Sequence, residues 1–157
     1  MDLPMSEEPE AYSPLEPYYP PINSLAEKLY RFCDKLPFLV TGDRGGIRSL
    51  AYRQMQKRVQ FPIQEWRQFL GRNDKAIISR VETVLRVLAT EINWPNHHFL
   101  PNDPVWLVTH SCDAANLTYA IWGIQEVTNQ TEGSVATCIG SSKTVGDLIL
   151  CLGLNQQ

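Results

Sequence analysis

One stretch of this chain leaves little choice about its conformation. Ile77, Ile78, Val81, Val84, Leu85, Leu88 and Ile92 recur at the i, i+3, i+4, i+7 spacing of a single helical face. Arg80, Glu82 and Arg86 fall on the other side, Asn73 or Asp74 caps the start, and Pro95 ends the run. A helix this long draws its stability from tertiary packing of its apolar face, so the rest of the chain has to supply partners for that stripe.

Further helices follow from the same spacing. Ser24 caps a run carrying Leu25, Leu29, Phe32 and Leu36, stopped by Pro37. Residues 48–60 read as a helix rich in Arg, Gln and Lys, with Leu50, Met55 and Val59 as a sparse apolar side. Pro62 suits the first turn of a helix that buries Ile63, Trp66, Phe69 and Leu70 and ends near Gly71. Asp113 caps a helix through Leu117, Ala120, Ile121, Ile124 and Val127, and Thr144 caps a last one from Val145 to Leu152. Phe38–Thr41 with Gly42-Asp43-Arg44-Gly45-Gly46 fits either a short strand and hairpin turn or a loop between helices. Residues 128–134 look like a turn, and Val135–Ile139 fits strand or loop. The expected fold is mainly α: a small helical bundle, with room for one short β-hairpin near 38–50.

Residues 1–22 hold six of the eleven prolines and almost no aliphatic periodicity. Such a segment buries too little apolar surface to offset its ordering entropy, so it is expected to be a disordered, acidic, proline-rich tail ahead of a single helical domain over 23–157. Tyr12, Tyr18 and Tyr19 give that tail a possible second role as a recognition peptide. No run of about 18 apolar residues occurs, which argues against a membrane-spanning helix. The start has neither a basic nor an apolar leader region, so a cytoplasmic location is expected. Cys33, Cys112, Cys138 and Cys151 are scattered, with no C-x-x-C pair; on this reading they are small core hydrophobes, not zinc ligands or disulfides.

The charge is unevenly spread. Residues 44–86 carry ten bases against three acids, while residues 1–43 have eight acids and three bases, and residues 87–157 six acids and one base. The basic block is the strongest functional signal. Arg44, Arg48, Arg53, Lys57 and Arg58 are the expected partner-binding residues, docking an acidic protein, where charge of this kind sets association rate and orientation. A nucleic-acid-associated regulator using the same patch is the alternative, since Lys and Arg neutralise phosphates without reading sequence. A pI near 5.6 weighs against a dedicated nucleic-acid binder.

From residue 75 onward a long helix, a long loop, a helix ending in Ile124-Gln125-Glu126, a second loop and Thr144-Val145-Gly146-Asp147-Leu148-Ile149 follow in order. This layout over 75–155 resembles an acyl carrier protein, whose closing helix commonly reads Thr-Val-Gly-Asp-Leu. The resemblance implies a helical carrier-like fold. Carrier proteins attach phosphopantetheine to the serine of an Asp-Ser-Leu at the start of the second helix. Counting back from Glu126 puts that position near Ala114 or Ala115, neither of which has a nucleophilic oxygen. Ser111 is the nearest serine, but His110-Ser111-Cys112 does not reproduce the motif. The resemblance therefore implies the fold without the prosthetic group, and no cofactor is expected.

Three constellations have simpler readings than chemistry. Thr109-His110-Ser111-Cys112-Asp113 sets an imidazole beside a thiol, but a Cys–His pair is normally assembled from distant parts of a chain, and helix entry accounts for these residues. An enzyme accessory or minor enzyme centred on His110 and Cys112 is thus the third hypothesis, behind a non-enzymatic adaptor or regulatory protein. His97 and His98 with Asp103 and Cys112 point in too many directions for one metal ion. Residues 42–46 are neither a P-loop nor G-x-G-x-x-G, and turn chemistry suffices.

Overall fold

The computed structural model describes residues 12–19, Leu25, Lys28, 47–110 and 114–156. Among them are seven helices: α1 (Ser49–Lys57), α2 (Ile63–Leu70), α3 (Lys75–Glu91), α4 (Val105–Val108), α5 (Ala114–Thr128), α6 (Glu132–Ser141) and α7 (Val145–Cys151). The mainly helical fold is as the periodicity predicts. The sole β feature among the described residues is an isolated bridge between Pro104 and Thr144. Most of the hairpin proposed near 38–50 lies outside the described residues, and its last two positions, Ser49 and Leu50, are helical. Leu25 and Lys28, from the run ended by Pro37, are helical as well.

Local chemistry sets the helix ends. The Asp74 carboxylate accepts from the Ala76 amide at 2.8 Å and opens α3. Gly71, at φ 62°, closes α2 in the left-handed conformation that costs glycine nothing. Asn93 and Asn129, also left-handed, follow α3 and α5. Thr144 and Asp147 form a reciprocal capping box at the start of α7.

The α3 stripe is the centre of the core. Val81, Val84, Leu85, Leu88 and Ile92 are buried with Ala120 and Ile124 of α5, Val135 and Ile139 of α6, and Val145, Leu148 and Ile149 of α7. α3 packs chiefly against α5. Gly123 makes their close approach possible: a Cβ there would lie 2.5 Å from Cγ1 of Val87. α1 and α2 contribute Met55 and Trp66, with the Trp66 indole donating to the Phe99 carbonyl at 2.9 Å.

Several expectations need correction. Residues 132–141 are helical, not turn followed by strand or loop, because Val135, Cys138 and Ile139 share one helical face and are buried together. Cys138 and Cys151 are disulfide-bonded across α6 and α7, with Cα atoms 5.6 Å apart; helix packing brings together cysteines whose sequence spacing gave no hint of pairing. Cys33 and Cys112 lie outside the described residues. Val59, Phe69, Ile63 and Val127, assigned to apolar faces, are exposed. Residues 12–19, assigned to a solvated tail, lie without helix or strand against the body, with Leu15 in the core.

Candidate partner-binding surface

The basic residues of α1 divide into two classes. Arg53 and Lys57 are exposed, one helical turn apart, with exposed Gln56 between them. Arg53 holds its Nε against the Ser49 carbonyl at 3.3 Å, which aligns the guanidinium along the helix. No acid occurs in α1.

Arg48 and Arg58 do not belong to that surface. Arg48, 3 % exposed, lies 4.2 Å above the Trp94 ring and donates to the carbonyls of Ile92 and His110. Its charge is spent on fixing the α3 end to the α4 end. Arg58 is 2 % exposed and forms a two-pronged pair with Asp103, at 2.5 and 2.9 Å. It also donates to the carbonyls of His98 and Ser13. Asp103, with no exposed surface, additionally accepts from the amides of Leu15 (2.8 Å) and Leu100 (2.7 Å). A buried ion pair persists when further hydrogen bonds meet its lone pairs and protons, and here both carboxylate oxygens and both terminal guanidinium nitrogens have them. Arg44 lies outside the described residues. Of the five expected residues, Arg53 and Lys57 are the exposed ones among the described residues.

Beside the Arg58–Asp103 pair stand two imidazoles. His97 is 3.0 Å from Glu82 and stacks on Phe61, while His98 Nδ1 lies 2.5 Å from the Arg58 carbonyl. A carbonyl only accepts, so Nδ1 carries the proton. Burial, the largest influence, holds His98 below its usual pKa of 6.5. These side chains are engaged with protein partners, as is Asp103, and no group of three metal-capable side chains exists among the described residues. The 42–46 turn and Ser111–Asp113 lie outside those residues; His110 is half-buried with its ring edge-on to Trp106.

The charge pattern gave no notice of an aromatic surface. Trp106, Tyr119 and Trp122 are each about half exposed, and Tyr119 packs edge-on against Trp122. The sequence did contain a signal: Tyr119 and Trp122 fall off the stripe formed by Leu117, Ala120, Ile121 and Ile124. A cleft of about 410 Å³ opens between α2, the 100–102 turn and the start of α7, lined by Glu65, Gln68, Phe69, Leu100, Asn102 and Thr144.

No protein-family profile, curated protein or solved structure matches this chain. No helix among the described residues is long and apolar enough to cross a membrane.

Proposed function

We propose that this chain is a non-enzymatic adaptor or regulatory protein that docks an acidic protein partner through the outward edge of α1. The observation that carries this reading is the exposed Arg53–Gln56–Lys57 edge on a helix with no acid of its own. Two such cations at an interface rim act mainly on encounter rate and orientation, so affinity falls with salt.

The test is affinity purification on the full chain at low and moderate salt, scoring both protein and nucleic acid. Arg53→Glu with Lys57→Glu removes the captured protein while the far-UV circular dichroism stays unchanged. Captured protein unaffected by this reversal refutes the reading. Capture of nucleic acid instead, with a steep loss between the two salt conditions, transfers the same residues to a nucleic-acid role.

The carrier resemblance over 75–155 stays a proposal about layout, with α5 starting at Ala114, a capping box at Thr144 and Asp147, and a helix, α6, where the sequence suggested a loop. Ala114 and Ala115 offer no oxygen for a prosthetic group, so the resemblance adds no acyl-carrying step to this reading.

A further inference from the structure

The segment 12–19 is held mainly through its backbone. Asp103 accepts from the Leu15 amide at 2.8 Å, and Arg58 donates to the Ser13 carbonyl at 2.6 Å. Gln54 accepts from the Glu16 amide at 2.9 Å, and the Ile47 carbonyl from the Tyr18 amide at 2.9 Å. The body thus reads main-chain groups of an extended peptide, as sites built for short linear segments do. One side chain, Leu15, is fully inserted, while Ser13, Pro14, Glu16 and Tyr19 face solvent. Pro14 and Pro17 fix their own φ angles and lower the entropy lost on docking.

The floor of this groove has bonds of its own besides those to its occupant. Arg58 and Asp103 grip each other twice, and the His98 carbonyl and Leu100 amide hold them from the body side. The segment belongs to the same chain as the groove, and the Tyr18 amide meets the Ile47 carbonyl at 2.9 Å. A ligand carried on the same chain competes intramolecularly, so a free peptide binds more weakly while that ligand is docked.

We propose that the groove beside α1 and the 98–103 turn is a recognition site for an extended, proline-flanked peptide of a partner protein, and that residues 12–19 occupy it as a tethered competitor. This rests on the adaptor reading and adds the chemistry of a second contact: an aliphatic side chain between two prolines, with its amide free to meet Asp103.

The probe is a fluorescein-labelled octapeptide of residues 12–19, titrated against the full chain and its Leu15→Ala and Leu15→Asp variants, with anisotropy as readout. The variants bind it at least about tenfold more tightly than the wild type, because their own segment no longer competes. A peptide carrying Leu15→Asp does not bind. Loss of helical circular dichroism in both variants makes the segment an integral part of the core and overturns the proposal. Folded variants that bind the two peptides alike, or no more tightly than wild type, overturn it too. Arg53→Glu with Lys57→Glu leaves peptide binding unchanged, so the adaptor reading and this one fail separately.

Discussion

Replacing Asp103 with alanine removes the carboxylate paired with Arg58 and the acceptor for two buried amides. Deleting one partner of a buried pair costs about 3–5 kcal/mol, because the other charge is left in an apolar surrounding. The Leu15 and Leu100 amides lose their acceptor as well, at about 1–3 kcal/mol each if water does not replace it. The vacated carboxylate space admits some water, so the net expectation is a loss of about 4–6 kcal/mol. With a urea slope of about 1.5 kcal/mol per molar, the unfolding midpoint falls by about 3–4 M, enough to unfold a marginal domain outright. The double variant Arg58→Met/Asp103→Leu removes both charges together and recovers at least about 2 kcal/mol relative to Asp103→Ala. Urea titrations at pH 7 followed by circular dichroism measure both. A midpoint shift below about 0.5 M for Asp103→Ala, or a double variant no more stable than the single, refutes the assignment of this pair as the hub of the fold.

Gly146→Ala places a Cβ 2.5 Å from Cζ of Phe69 and is expected to cost about 1–3 kcal/mol, seen as a lower Tm. Because burial lowers the His98 pKa, the unfolded chain binds a proton more readily than the folded one, so the stability His98 allows is complete above 6.5 and declines below it. His98→Asn, which keeps a donor for the Arg58 carbonyl, should flatten the fall in urea midpoint between pH 7.5 and 5.5. Cys151→Ser opens a bridge spanning 13 positions and should cost about 3 kcal/mol on the chain-entropy account; dithiothreitol should lower the Tm of the wild type but not of this variant. Incubation with a phosphopantetheinyl transferase and coenzyme A should leave the intact mass unchanged, and a mass gain mapped to Ser111 would reverse the reading of the carrier resemblance.

The α3 stripe, its Asp74 cap and the Thr144 start of α7 are legible in the sequence because they follow from spacing and capping within a few residues. α6 is not, since two glycines and several β-branched residues depress its propensity; burial of Val135, Cys138 and Ile139 overrides that preference. Composition also misleads at Arg48 and Arg58. Arginine reads as surface, yet the Arg58 partner lies 45 positions away and the Arg48 guanidinium rests on Trp94, neither of which a local window contains. The prolines correctly exclude helix over 12–19, but docking through main-chain atoms leaves no mark on side-chain patterning. The exposure of Arg53 and Lys57 follows from their place on the polar side of α1, opposite buried Ala51 and Met55.

The hydrogen bond from Tyr18 to Ile47 brings the two ends of the intervening chain side by side. For a flexible loop closed between two such anchors, each doubling of length adds only about 0.6 kcal/mol. A reporter protein whose own termini lie close together could be spliced between those anchors at little thermodynamic cost.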